Sequence, residues 1–172
     1  MILIGFYVGN FMTMKKILFI GRFQPFHLGH LSALKDIDEQ PDTGEIVIGI
    51  GSAQYSRTID NPYSLEERRA MLQAVLPSHL KNKFSLQAIP DVHDNNIWVD
   101  HVRKIVGDFD QVWSGNQLVR QLFEQKNYLV FNPKKEFNIT ATQVRRMITD
   151  NDEGWRQLVS PQVAKIICQI KL

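Results

Sequence analysis

Apolar residues fall into short continuous runs separated by longer stretches of mixed character, and the two kinds alternate. Ile17-Leu-Phe-Ile20 and Ile46-Val-Ile-Gly-Ile50 are unbroken apolar runs bounded by glycine. That is the pattern of strands buried on both faces of a parallel sheet. Between them Leu31, Leu34 and Ile37 recur at helical spacing, which predicts a helix over 29–40, with Pro41-Asp-Thr-Gly44 as the following turn. Further strands are expected at 84–89, 111–114 and 128–132, with helices at 65–75, 96–106 and 116–125 between and after them. Capping signals mark several helix starts. Ser64-Leu-Glu-Glu67 and Thr140-Ala-Thr-Gln143 read as capping boxes, and Ser160-Pro161 supplies an N-cap followed by proline at the first helical position. The order predicts an α/β fold, a Rossmann-like doubly wound parallel sheet of about five strands with flanking helices and a helical C-terminus.

Length and composition narrow the class. At 172 residues, with no repeat, low-complexity stretch or long linker, residues 14–172 are expected to form one domain. Residues 1–13 are apolar but too short to span a bilayer and lack a basic start; they are expected to be an N-terminal extension without an assigned function. A formal charge of +2 without a basic run gives no case for nucleic acid or membrane as partner, and leaves room for a small anionic ligand. The single Cys168 excludes an internal disulfide and suits a cytoplasmic location; its apolar neighbours predict a buried helical thiol.

The chemistry concentrates in Gly21-Arg-Phe-Gln-Pro-Phe-His-Leu-Gly-His30, directly after the first strand. A strand end, a loop and a helix N-terminus together offer unpaired N–H groups and a favourable dipole to a phosphate. Arg22 adds a permanent charge, His27 and His30 can donate ring N–H bonds, and Gly29 leaves room for a phosphate near the backbone. No zinc motif accompanies the histidines, and no G-x-G-x-x-G marks a dinucleotide fold. Far along the chain, Thr140-Ala-Thr-Gln-Val-Arg145 opens another helix with two hydroxyls, and Arg145 lies one turn in. Arg68 and Arg69, inside a helix, are expected to form structural ion pairs, while His79, His93 and His101 are expected to be solvated or to pack.

His27-Leu-Gly-His30, after a strand and before a helix, resembles the HxGH signature of the nucleotidyltransferase superfamily, and Thr140–Arg145 resembles its late I-S-x-T-x-x-R signature. Gly49-Ile-Gly-Ser-Ala-Gln54, Asn61-Pro-Tyr-Ser-Leu-Glu-Glu-Arg68, Asp91-Val-His-Asp-Asn95 with Trp98, and Ser114-Gly-Asn116 are similar to segments of the archaeal-type nicotinamide mononucleotide adenylyltransferases. The resemblance runs from about Ile17 to Val163. It implies adenylyl transfer from ATP to nicotinamide mononucleotide, with magnesium held by ATP oxygens and no protein metal site. It assigns Arg22, His27, His30 and Arg145 as the catalytic set. ATP would be bound by these and by Gly21, Phe23, Gln24, Gly29, Gly115, Asn116, Thr140 and Thr142. Nicotinamide mononucleotide would be bound by Ser52, Ala53, Gln54, Asp91, Asn95 and Trp98, the indole stacking on the pyridinium. A homo-oligomer, hexameric in the family, is implied too. The sequence departs from the pattern at Asp60, where some members carry a basic residue; Arg57 stands three residues earlier as a substitute. Two rivals share the motifs: a sister enzyme with another phosphate acceptor, and a nucleotide-binding regulator without turnover.

Overall fold

The computed structural model describes residues 13–77, 82–134 and 138–170. Nearly all of the N-terminal extension, and His79, lie outside the described residues. Five strands alternate with helices: β1 Lys15–Gly21, α1 Leu28–Asp38, β2 Thr43–Gly51, α2 Leu65–Val75, β3 Phe84–Ile89, α3 Asn95–Val106, β4 Gln111–Trp113, α4 Gln117–Gln125 and β5 Leu129–Phe131. Helix α5 (Ala141–Thr149), a 3₁₀ segment (Glu153–Leu158) and α6 (Pro161–Gln169) follow. The strands are all parallel and ordered β3-β2-β1-β4-β5, the doubly wound arrangement expected. The order reverses direction between β1 and β4, so the loops leaving these two strands diverge and leave a crevice at the sheet's carboxyl edge.

The side-chain period of two divides β1 between two cores. Ile17 and Phe19 face the layer built from α1, α2, α5 and α6, where Leu34, Ile37, Met71, Leu72, Val144, Val163 and Ile167 are buried. Leu18 and Ile20 face α3 and α4, packing with Val99, Val102 and Phe123. Because both faces are covered, β1 and β2 had to be apolar without alternation. The helix starts follow the capping chemistry: Ser64 Oγ accepts from the Glu67 N–H while Glu67 accepts from the Ser64 N–H, and Thr140 and Ser160 cap α5 and α6.

Two expectations are corrected. Cys168 is exposed, not buried: Val163, Ala164 and Ile167 take the inner face of α6, and Cys168 lies about 100° further round the helix, beside Arg156. Arg68 is fully buried and forms no ion pair among the described residues; its partners are backbone carbonyls. Arg69 does pair, with Glu66 at 3.2 Å. No helix of the described residues is long and apolar enough to cross a membrane.

Candidate active site

Two cavities lie along the carboxyl edge of the sheet. The first, about 330 Å³, is lined by the β1–α1 loop (Gly21 to Gln24, His27, Gly29, His30), by Ser114 to Asn116, by Asn132 to Lys134, and by Thr140 to Thr142 with Arg145. The second, about 350 Å³, is lined by Gly51, Ser52, Asp91, His93, Asp94, Asn95, Trp98 and the start of α4. Ile20, Gly21, Arg22 and Asn116 line both. The two are therefore neighbouring compartments with a common wall, and Arg22 stands in that wall.

In the first cavity the two histidines are held rigidly. His27 is the N-cap of α1, and its backbone N–H donates to Nδ1 of His30 at 3.2 Å. An accepting Nδ1 leaves the neutral His30 ring with its proton on Nε2, so that nitrogen is the available donor. The rings stack 3.6 Å apart, and Phe19, Phe23 and Phe26 surround His30. Burial pushes the His27 imidazole down to about 4; His30 is also held well below its ordinary value, by burial first and by His27 second. Both rings are thus neutral near pH 7. Nδ1 of His27 is buried beside Gly29 and makes no hydrogen bond among the described residues.

The glycine between the histidines has a local reason. A Cβ on Gly29 would stand 3.1 Å from Nδ1 of His27, so any larger residue would press on that ring. Room for the His27 ring favours glycine at this position.

Arg145 reaches back from α5 to close the cavity. Its Nη1 donates to the Gln24 carbonyl at 2.9 Å, and Nη2 to Thr142 Oγ1 at 3.3 Å and Asp60 Oδ1 at 3.4 Å. Its charge is disfavoured by burial and by the nearby Arg22, and favoured by Asp60. Thr140 acts as the helix cap, Oγ1 accepting from the Gln143 N–H at 3.1 Å. Gln24 lines the cavity, but its side-chain amide is fully engaged with the Tyr63 backbone, accepting at 3.0 Å and donating at 2.8 Å. Phe23 is buried with φ of 52°, a conformation costing a non-glycine residue of order 1 kcal/mol or more. Gly115 and Asn116 form the β4 edge of the site, where Asn116 caps α4 through Val119 N–H.

Polar contacts shape the second cavity. Ser52 Oγ donates to Asp91 Oδ2 at 2.8 Å, which aims that carboxylate. Gln54 brackets the Asp91 backbone, donating to its carbonyl at 3.0 Å and accepting from its N–H at 2.9 Å. Ala53 and Gln54 stand behind the lining rather than in it. Asn95 opens α3, and Trp98, one turn on, is half-buried edge-on to Phe123. His93, expected to be solvated or to pack, joins the lining and bonds to the Tyr55 hydroxyl at 2.7 Å. Ser52 and His93 both have positive φ, 49° and 55°, so three such residues ring the two cavities.

Residues that sequence reasoning did not assign to the site complete it. Lys134, Asn132 and Asn138 line the first cavity from the segment after β5. Arg68 lies beneath both cavities, donating to the carbonyls of Arg22 at 3.0 Å, Gly51 at 2.7 Å and Ser52 at 3.2 Å. Burial and Arg22 lower its pKa to about 10. Arg57, three residues before Asp60, is engaged in a two-pronged contact with Glu67.

The first cavity is rich in cationic and N–H groups and has no carboxylate among its lining residues. Among the described residues no cluster of three His, Cys, Asp or Glu side chains could hold a metal. A polyphosphate fits such a donor set, and a divalent ion fits it only as a companion of the phosphates.

Residues 18–147 match the cytidylyltransferase-like family. The nicotinamide-nucleotide adenylyltransferase of Pyrococcus furiosus is 43% identical over 92% of this chain and 85% of its own length. That of Thermococcus sibiricus is 42% identical over 90% of this chain and 83% of its own. Among solved structures, a bifunctional NMN adenylyltransferase/ADP ribose pyrophosphatase from Francisella tularensis, complexed with AMP and a manganese ion, superposes with a TM-score of 0.66 at 23% identity. This chain is covered to 87% there but spans only 44% of that longer protein, so the likeness is one of fold. By the family match and by these identities along nine-tenths of its length, the chain belongs to the nicotinamide-nucleotide adenylyltransferases of the cytidylyltransferase-like family.

Proposed function

We propose that this chain, acting through residues 14–172 as one nucleotidyltransferase domain, catalyses ATP + nicotinamide mononucleotide → NAD⁺ + pyrophosphate. The observation that carries the assignment of sites is the common wall. A carboxylate-free cationic cavity and a tryptophan-bearing cavity meet at Ile20, Gly21, Arg22 and Asn116, where a phosphate from each substrate can face the other. ATP takes the first cavity and nicotinamide mononucleotide the second, with the cationic pyridinium over Trp98 and the polar groups of Asp91 and Asn95 beside it.

A 5′-phosphate oxygen of nicotinamide mononucleotide attacks the α-phosphorus of ATP. The new P–O bond forms as the bond to the bridging oxygen breaks, and pyrophosphate carries away the electron pair. No protein nucleophile is needed, because the acceptor is itself an anionic oxygen. The chain's part is to hold two repelling phosphates in line and to meet the growing charge with fixed donors. Arg22 and Arg145 supply permanent charge. His30 Nε2–H and the His27 ring supply dipolar contacts at the α-phosphate, and their charge becomes favourable only once phosphate is beside them. A divalent ion, magnesium in this reading, would be held by the ATP oxygens and would supply neutralising charge to the phosphates. The same reading extends to a cytoplasmic homo-oligomer.

The test is incubation with ATP, magnesium and a panel of phosphate acceptors, following pyrophosphate and dinucleotide together. Release with nicotinamide mononucleotide, yielding NAD⁺, supports the assignment. Release only with a different acceptor moves the protein to a sister activity, and no release with any acceptor points to a nucleotide-binding regulator.

A further inference from the structure

Arg145 has a carboxylate partner, Asp60, that lies outside both cavity linings. Asp60 sits in a tight turn, Thr58 to Asn61, closed by reciprocal backbone bonds of 3.2 Å between its first and last residues. The turn stands on Arg57, which is fixed to Glu67 and to the Pro62 carbonyl. The base of the loop is therefore anchored, and its apex presents Asp60 to Arg145. The two partners differ greatly in environment. The Arg145 side chain is 10% exposed, held by the Gln24 carbonyl and Thr142; that of Asp60 is 74% exposed and has no other ion-pair partner among the described residues.

We infer that Asp60 is a displaceable counter-ion which occupies Arg145 until the phosphates of the nucleotide arrive, and so weakens ATP binding. The inference rests on the first cavity being the ATP site. Arg145 keeps its position without Asp60, since two other acceptors hold it. What Asp60 adds is negative charge beside a cation that the phosphates also need, and beside phosphates it would repel. The carboxylate can swing into solvent, at the cost of one exposed ion pair. Pairs of that kind are worth at most about five-fold in an equilibrium constant. Asp60 thus tunes nucleotide affinity without touching the reacting atoms.

Asp60→Asn tests this, because the amide keeps an oxygen for Arg145 and removes only the charge. Calorimetric titration with ATP and, separately, with adenosine reads the effect. The expected result is ATP dissociation tightened by about two- to five-fold with adenosine unchanged, the gap narrowing as salt rises. Asp60→Lys should tighten ATP further. ATP affinity that is unchanged or weaker in Asp60→Asn overturns the inference, as does an equal gain for adenosine, which would indicate a change of pocket shape. Pyrophosphate release by the unmodified chain is measured in parallel. Its absence would count against the proposed reaction, while the ATP-to-adenosine comparison would still decide the role of Asp60.

Discussion

The buried histidine pair makes the fold sensitive to mild acid. His27 is only 6% exposed, and its pKa falls from an ordinary 6.5 to about 4. Between those values the unfolded chain binds a proton at this position that the folded chain refuses. Stability is therefore full above pH 6.5 and is lost as pH falls, levelling off below the folded-state value. A shift of this size costs about 2 kcal/mol by pH 5 and about 3 kcal/mol in total. His30 shifts in the same direction and deepens the loss. Urea unfolding at intervals from pH 7.5 to 4.5 measures it, with His27→Gln as the reference that lacks this titration. Glu67 works over a lower window: its pKa is held down chiefly by Arg57, so its contribution is lost as pH drops through its depressed folded value. That contribution is common to both proteins and cancels in the difference. With ~1–3 kcal/mol per molar urea, the wild-type midpoint should fall by about 1 M more than that of the variant between pH 7 and 5. ATP, which places anionic oxygens beside the rings, should restore part of the loss. Two unfolding curves that decline in parallel over pH 7 to 5 would refute the assignment of a neutral, desolvated His27.

Three substitutions test the division of labour in the site. His30→Ala should reduce kcat by ~10²–10³ with little change in KM for nicotinamide mononucleotide, measured as initial pyrophosphate release; near-normal turnover would remove His30 from the α-phosphate. Gly29→Ala adds a Cβ 3.1 Å from Nδ1 of His27 and should lower kcat by displacing that ring, with unfolding little affected; unchanged kinetics would show that the ring can yield freely. Trp98→Ala should raise KM for the acceptor by about two- to thirty-fold, from the worth of a cation over an indole, and leave KM for ATP alone; an equal rise for both substrates would assign Trp98 to packing.

The fold was legible wherever local chemistry decides it. The apolar runs of β1 and β2 could be nothing but two-sided buried strands, and Ser64 with Glu67, Thr140 and Ser160-Pro161 announced their helix starts. The 3₁₀ segment at Glu153–Leu158 was not foreseen, since Trp155 and Leu158 alone carry an apolar signal there and do not make a helical repeat. In the site, motif residues could be read but their partners could not. Arg68 read as one half of a structural ion pair because its acceptors are carbonyls of Arg22, Gly51 and Ser52, contributed by two other segments and specified by no side chain. Gln24 looked like a ligand contact, yet its amide holds the Tyr63 backbone 39 residues away. Cys168 was misjudged by a single helical step. Such facts reside in the three-dimensional convergence of chain segments, which spacing along one segment does not encode.

The guanidinium under the floor has a consequence for how this protein can change. Arg68 is solvated by carbonyl dipoles and not neutralised by a carboxylate, and Arg22 depresses the pKa of both Arg68 and Arg145. Arg22 thus repels both Arg68 and Arg145, a repulsion that Asp91 and Asp60 offset in part and that a polyanion would relieve further. Discharging Arg22 is expected to make a sturdier protein and a poorer catalyst, whereas discharging Arg68 would orphan the carbonyls it holds. Selection for robustness and selection for turnover therefore pull in opposite directions at Arg22, and the nucleotide itself is the stabiliser that reconciles them.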